Sequence, residues 1–130
     1  MTNENLIKNT GGADLIDIIS VVDQYFNGLF NGDTRTLKNI FKEDAFLKAP
    51  DFRLGRDAWL QAVAERPIPR DTHPRDNFRI ESIELVQEQA MVKVKCPLFD
   101  HDYVDFLGLL KEGEQWRIVN KMFVDTSNMS

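Results

Sequence analysis

The sequence predicts an α+β fold in which three N-terminal helices pack on a curved, mainly antiparallel sheet. Apolar residues recur at steps of three and four in the first half of the chain and at steps of two in the second half. The chain has 130 residues, of which 42% are hydrophobic, and this length suits one domain with one core. We expect a tail at residues 1–12, a single domain at 13–125 and a second tail at 126–130.

The first half of the chain contains three helical patterns and one strand pattern. The predicted helices begin near Ala13, after a cap at Asp33 or Thr34, and at Arg56. Asparagine and glycine at 31–32 should end the first helix. Before the third helix, residues 44–50 predict a short strand in which Phe46 and Leu47 point to opposite faces.

A proline-rich segment separates these helices from the remaining strands. Residues 67–77 hold three prolines and mixed charges without a period, so we expect a loop there. The sequence leaves open whether this loop closes over a pocket. Four strand patterns follow, with turns predicted at 87–89, 100–102 and 112–114. Such short connections make successive strands antiparallel.

The last two predicted strands carry apolar residues on both faces. Val104 and Phe106 oppose Leu107 and Leu109, while Val119 and Phe123 oppose Trp116 and Ile118. The helices can cover one face of the sheet, and either a second copy of the chain or the N-terminal tail can cover the other. We expect a homodimer through the sheet.

Charge and composition exclude several classes of partner. The formal net charge is −5 and no basic run occurs, which argues against nucleic acid or an anionic membrane surface. No apolar run approaches the length of a membrane span. The first twelve residues are polar and carry no secretion signal, so a cytoplasmic protein is expected. The single cysteine, Cys96, excludes an internal disulfide and is read as a small buried hydrophobe.

The order of these elements resembles the NTF2-like superfamily, which includes ketosteroid isomerase, scytalone dehydratase and the SnoaL-like cyclases. The resemblance rests on the stretches VVDQYFNGLFNGDTRTLKNIFKEDAFL, GRDAWLQAV and DYVDFLGLLKEGEQWRIVNKMF. The last stretch is most similar to the subgroup named "putative lumazine-binding". The resemblance implies a cone-shaped pocket between helices and sheet. It is specific for fold and uninformative about chemistry.

Tyr25 and Asp105 are the candidate polar groups of that pocket. Tyr25 falls where the isomerase has its oxyanion-hole tyrosine, and Asp105 matches a strand position that there carries a protonated aspartic acid. A carboxylate inside the apolar strand of Asp105 must be paired, hydrogen-bonded or protonated. Tyr25 can instead be an ordinary core aromatic, and Asp105 can pair at the rim with Arg75, Arg79 or Lys121. The isomerase's general base is replaced by Ala49, so that mechanism is not expected.

Two histidines remain to be assigned. His73 lies in the proline-rich loop and is either an acid/base group at the pocket or an ordinary loop residue. His101 stands between Asp100 and Asp102 in a predicted turn. Consecutive side chains there splay apart instead of converging on one point, so no metal site and no cofactor are predicted.

Three functional hypotheses follow, and whether the protein is an enzyme is left open. The preferred one is a small-molecule binding protein with an apolar pocket for a partly aromatic ligand. That pocket would be lined by Tyr25, Phe46, Trp59, Val63, Asp105 and Leu107. The second is an isomerase, dehydratase or cyclase in which Tyr25 and Asp105 stabilise an enolate and His73 is the base. The third is a structural or interaction module whose cavity is filled by side chains.

Overall fold

The structure, a computed structural model, describes residues 12–75 and 77–127. The helices are α1 (Gly12–Asn31), α2 (Thr34–Ile40) and α3 (Arg56–Glu65), with a 3₁₀ turn at Pro69–Asp71. The strands are β1 (Phe41–Ala49), β2 (Phe52–Gly55), β3 (Arg79–Val86), β4 (Gln89–Leu98), β5 (His101–Glu112) and β6 (Gln115–Asp125). The predicted α+β class is therefore confirmed. Of the predicted tails, residues 1–11 and 128–130 lie outside the described residues.

One open sheet carries the fold. Its six strands run in the order β2-β1-β6-β5-β4-β3, so that β2 and β3 form its edges. The hairpins from β3 to β6 confirm the predicted antiparallel meander, and β1 pairs with β6 in parallel. Strand β2 was not predicted, because its four residues follow Pro50 and Asp51 too closely to show a period. No helix in the described ranges is long and apolar enough to cross a membrane.

Helix α1 packs on the inner face of the sheet through residues spaced by three and four. Ile18, Val22, Tyr25 and Leu29 are all buried. Leu15, Ile16 and Ile19, which belong to the same predicted apolar pattern, are exposed, since one helix face cannot bury all of them. Asp14, in the first turn, accepts hydrogen bonds from Lys111 Nζ (2.9 Å) and Trp116 Nε1 (3.1 Å), which tie the helix to the sheet.

Asp33 is the cap of α2, as one of the two predicted alternatives had it. Its carboxylate accepts a hydrogen bond from the backbone N–H of Thr36 at 3.2 Å and from the Thr36 hydroxyl at 2.7 Å. These bonds satisfy a backbone donor that a helix start otherwise leaves without a partner. They also lower the pKa of Asp33.

A β-bulge in β6 decides which of its side chains face inward. Leu109 pairs with Ile118 and Gly108 with Asn120, so Val119 has no partner in the ladder. The extra residue shifts the alternation by one position. Lys121 and Phe123 therefore share the inner face with Ile118, and the prediction that Phe123 opposes Ile118 is wrong.

The turn between β4 and β5 lies earlier than predicted. Leu98 pairs with His101, which leaves Phe99 and Asp100 as the two loop residues. Both have positive φ, 53° and 67°, as a type I′ hairpin requires. His101 and Asp102 belong to β5, so the assignment of residues 100–102 to a turn is corrected. The pairing of β4 with β3 ends at Lys95, so Pro97 lies beyond it. The N–H that proline lacks is therefore not needed for a hydrogen bond to β3.

The end of β6 is fastened to the start of β5 by Asp125. Its carboxylate lies 2.6 Å from His101 Nδ1 and accepts the backbone N–H groups of Asp102 and Ser127 at 3.1 and 3.0 Å. The bonds from Ser127 contribute most to a pKa for Asp125 of about 2, well below its usual value. Thr126 donates to the Asp102 carbonyl through both its N–H and its hydroxyl. Residues 126–127, in the predicted C-terminal tail, thus hydrogen-bond to the ends of β5 and β6.

We expect Asp125→Asn to reduce stability at neutral pH but not in strong acid. Because the folded-state pKa is depressed, the carboxylate stabilises the fold above its unfolded-state pKa, and this contribution is lost as the pH falls toward 2. Urea unfolding of both proteins from pH 7 to pH 2 should show the two stabilities converging below about pH 4. Asp44→Asn, at an exposed position of β1, is the matched control, and a gap that stays constant with pH would contradict the prediction.

Candidate functional site

A half-enclosed cavity of about 180 Å³ lies between the inner face of the sheet, α3 and the end of α1. Its apolar and aromatic wall consists of Leu29, Leu47, Phe52, Leu54, Trp59, Cys96, Leu98, Phe99, Tyr103 and Phe123. Three charged side chains, Arg66, Asp105 and Lys121, complete the lining. A concave apolar site with a few polar groups is the usual form of a small-molecule site.

Tyr25 and Asp105 are brought together from α1 and β5. The Tyr25 hydroxyl donates to Asp105 Oδ2 at 2.6 Å, and both side chains are buried, Asp105 with 2% exposure. The hydroxyl proton is therefore committed to Asp105. In an oxyanion hole both groups would instead point their protons at one ligand oxygen, so the arrangement differs from that of the isomerase.

Lys121 supplies the cation beside this carboxylate. Its Nζ lies 4.0 Å from Asp105 Oδ2, at the limit of an ion pair. It also lies 4.9 Å from the Trp59 ring centroid, 5.3 Å from that of Tyr25 and 5.6 Å from that of Phe123. The ring faces attract the ammonium group. Burial nevertheless lowers the pKa of Lys121, and the Asp105 carboxylate opposes that shift.

Burial keeps two neighbouring groups protonated. It raises the pKa of the Tyr25 hydroxyl well above its usual value, and the charge of Asp105 raises it further. The pKa of the Cys96 thiol is also raised well above normal, first by burial and then by Asp105. Cys96 is fully buried beside Val92 and Val94, as expected of a small hydrophobe. Neither group is an activated nucleophile.

Arg66 was not anticipated from the sequence. It follows the last residue of α3, where its backbone N–H still donates to the Ala62 carbonyl at 3.1 Å. Its guanidinium carbon lies 5.4 Å from the centroid of the Phe99 ring, and burial lowers the pKa of Arg66. The sequence does show that Arg66 lies between the end of a helix and Pro67, which restricts its backbone conformation. This restriction does not reveal where the side chain lies.

The other predicted lining residues are distributed over different parts of the molecule. Trp59 lines the cavity together with Asp105, whereas Val63 and Leu107 lie in the core outside its lining. Phe46 is 46% exposed on the outer face of β1, and its neighbour Leu47 lines the cavity. The alternation along β1 was predicted correctly, but the choice of which face looks inward was not, since Phe46 and Leu47 are both apolar.

His73 does not line the cavity. Its Nδ1 is 2.6 Å from the Thr72 hydroxyl, its Nε2 is 3.6 Å from Asp100, and its ring packs edge-on against Phe99 at 6.0 Å. The cavity-lining side chain at this point is Phe99. Of the loop's described residues, 67–75 and 77, none belongs to the cavity lining. The geometry therefore offers His73 as a support for Phe99 and not as a base at the cavity.

The fold is that of structures described as NTF2-like. The chain belongs to the family described as "putative lumazine-binding", whose sequence profile matches residues 13–124. No protein in a search of curated proteins matched significantly.

Two solved structures illustrate the fold. An NTF2-like protein of unknown function from Silicibacter pomeroyi is 23% identical with a TM-score of 0.67, over 96% of this chain and 99% of that one. Another of unknown function, from Methylobacillus flagellatus, is 22% identical with a TM-score of 0.73, over 88% and 93%. At these identities the similarity establishes the fold alone.

We expect Lys121→Met to destabilise the protein by about 3–5 kcal/mol, because it leaves the buried carboxylate of Asp105 without its cation. The double variant Lys121→Met with Asp105→Leu should be more stable than the single variant, since no buried charge then remains. Urea unfolding at pH 7 measures both.

Lys93→Met is the control for this comparison, because Lys93 is exposed on β4, and it should change stability by less than about 0.5 kcal/mol. A loss below about 1 kcal/mol for Lys121→Met would show that the pair is not a significant part of the fold's stability.

Proposed function

We propose that this protein binds a small, flat ring compound in the cavity between its sheet and helices. The observation that carries the proposal is the pairing of Asp105 with Lys121 on the wall of an otherwise apolar cavity. A carboxylate and an ammonium group are costly to bury, and the same core could be filled by apolar side chains. Their position on a cavity wall, rather than inside solid core, supports a role in orienting a ligand.

The size of the cavity limits the ligand. A cavity of about 150 Å³ is known to hold benzene in another protein. The present volume of about 180 Å³ therefore suits one ring or a compact pair of fused rings. A four-ring steroid would require the cavity to open. This argument favours a lumazine-sized compound over the larger polycyclic substrates considered from the resemblance.

The polar groups favour a ring edge that both donates and accepts hydrogen bonds. Lys121 offers donors and Asp105 offers acceptor oxygens, and their closest atoms are 4.0 Å apart. Lumazine, the compound in the family's description, carries neighbouring N–H and carbonyl groups of this kind. The aromatic side chains of Trp59 and Phe123 would face the ring.

Binding without turnover is the function that we favour. Tyr25 already donates to Asp105, Ala49 stands at the position of the isomerase's base, and His73 is turned toward Thr72 and Asp100. Asp105 and Lys121, the described lining residues that could accept a proton, lie against each other at 4.0 Å. An isomerase, dehydratase or cyclase would need a base that is free to reach its substrate.

A homodimer through the outer face of the sheet is the second part of the proposal. Five large apolar side chains are exposed on strands β1, β4, β5 and β6: Phe46, Met91, Phe106, Met122 and Val124. Exposed apolar side chains grouped on one face are typical of an interface. A second copy of the chain would bury this face by a two-fold contact. The cytoplasmic location expected from the sequence stays a prediction.

The ligand proposal is tested by thermal denaturation with lumazine, other pteridines and a steroid. Lumazine or a related two-ring compound should raise the melting temperature in proportion to the logarithm of its concentration, and the steroid should not. Leu54→Trp, which fills the cavity, should abolish the shift. Phe46→Trp, on the outer face of the neighbouring strand, should preserve it. Equal shifts in both variants would place binding elsewhere.

The dimer is tested by sedimentation equilibrium of the wild type and of Phe106→Glu. The wild type should sediment as a dimer, and a glutamate in the centre of the proposed interface should yield monomers, because it buries an unpaired charge. Ile16→Glu adds the same charge to an exposed position on α1 and should leave the dimer intact. A monomeric wild type would rule the dimer out.

A further inference from the structure

The charged groups on the cavity wall do not balance. Arg66 and Lys121 contribute two positive charges, and Asp105 contributes one negative charge. Lys121 and Asp105 neutralise each other as a pair, so the lining keeps one net positive charge, that of Arg66. Tyr103 and Cys96, the other titratable lining residues, are neutral because burial raises both of their pKa values.

Arg66 lacks partners within the described part of the chain. Its Nε and Nη2 atoms are buried and have no hydrogen-bond acceptor there, and it takes part in no ion pair there. Other arginines of the same region do have carboxylates. Arg56 lies 2.9 Å from Asp57, and Arg75 lies 3.2 Å from Asp23. A guanidinium with two buried nitrogens and no acceptor among the described residues is costly, and a ligand in the cavity can supply the acceptor that those residues do not.

The guanidinium is held in place by its surroundings. The backbone of Arg66 is fixed by the last hydrogen bond of α3, and its guanidinium lies over the Phe99 ring. Phe99 has a φ of +53°, which is rare for a bulky residue and strains the backbone. The edge-on contact with His73 supports the ring in that conformation. A planar group that is fixed before binding can meet a planar oxyanion with little loss of entropy.

We propose that Arg66 binds the anionic oxygen of the ligand, and that the ligand is a flat monoanion of one or two rings. A carboxylate or an acidic ring oxygen would accept from the guanidinium, as charge-assisted pairs with arginine commonly do. The rest of the ring would lie among Trp59, Phe99 and Phe123, with its far edge toward Asp105 and Lys121. One bound negative charge makes the cavity neutral. This inference rests on the proposed function, because it requires that the cavity bind a small molecule.

Two matched probe pairs separate charge from shape. Benzoate and benzamide, and likewise 2-naphthoate and 2-naphthamide, have nearly the same outline and differ by one negative charge. Their dissociation constants for the full chain can be measured by NMR titration at pH 7. We expect the wild type to bind each carboxylate about tenfold or more tightly than its amide, as hydrogen bonds to charged groups allow.

Arg66→Gln should remove this preference, because it weakens the binding of the carboxylate much more than that of the amide. Arg79→Gln, which changes an arginine paired with Glu81 on an edge strand, should keep the preference. If both members of each pair bind equally to the wild type and to Arg66→Gln, the anion site is refuted while the proposed function stands. If neither the four probes nor lumazine bind the wild type, both proposals fail.

A second readout uses the free protein. Removing the Arg66 guanidinium from water destabilises the fold, and no acceptor in the described part of the chain compensates for it. Arg66→Met should therefore leave the melting temperature unchanged or raise it. Benzoate should then raise the melting temperature of the wild type and not that of this variant. A large loss of stability in Arg66→Met would show that the guanidinium is already satisfied within the protein, and would overturn the inference.

Discussion

The hydrogen bond between Tyr25 and Asp105 joins the helical layer to the sheet inside the core. It connects the longest described helix to the longest described strand across eighty positions of sequence, and both partners are buried. A carboxylate in such a place requires compensation from its neighbours. The phenol hydroxyl supplies one donor, the ammonium group of Lys121 supplies charge, and the aromatic rings around that ammonium group supply their negative faces. The position of Asp105 and Lys121 on the cavity wall therefore depends on this contact.

The cavity is asymmetric because its polar groups come from different sources. Asp105 and Lys121 belong to adjacent central strands, where the ladder fixes their positions closely. Arg66 follows the end of a short helix, where a backbone hydrogen bond and the Phe99 ring position it. One end of the cavity is thus internally neutral, and the other end carries the positive charge of Arg66. A ligand can be oriented by the first end and selected by the second.

Much of the fold could be predicted from local patterns, and the site only in part. Helices, caps and the four-strand meander depend on periodicity and turn chemistry that neighbouring residues display. The pairing of Tyr25 with Asp105 was accessible because a carboxylate in an apolar strand demands a partner. The inward face of β1 could not be predicted, because Phe46 and Leu47 are both apolar and only the packing of the whole sheet decides which of them points inward.

Lys121, Phe99 and Arg66 show a second limit. Lys121 is turned inward by a bulge that leaves no mark in the sequence. Phe99 occupies a turn position that asparagine or glycine normally fills, so the usual turn signal was missing. Arg66 lies where a helix has ended, and periodicity no longer determines the direction of a side chain there.

The bulge at Val119 also affects how sequences of this family should be compared. Val119 is the one residue of β6 without a partner on β5, so a relative that lacks it can keep every pair on both sides and the same inward-facing residues. Loss of Met122 would instead move Phe123 to the outer face. A gap at Val119 in an alignment therefore leaves the inward face of β6 unchanged, whereas a gap at Met122 removes Phe123 from that face.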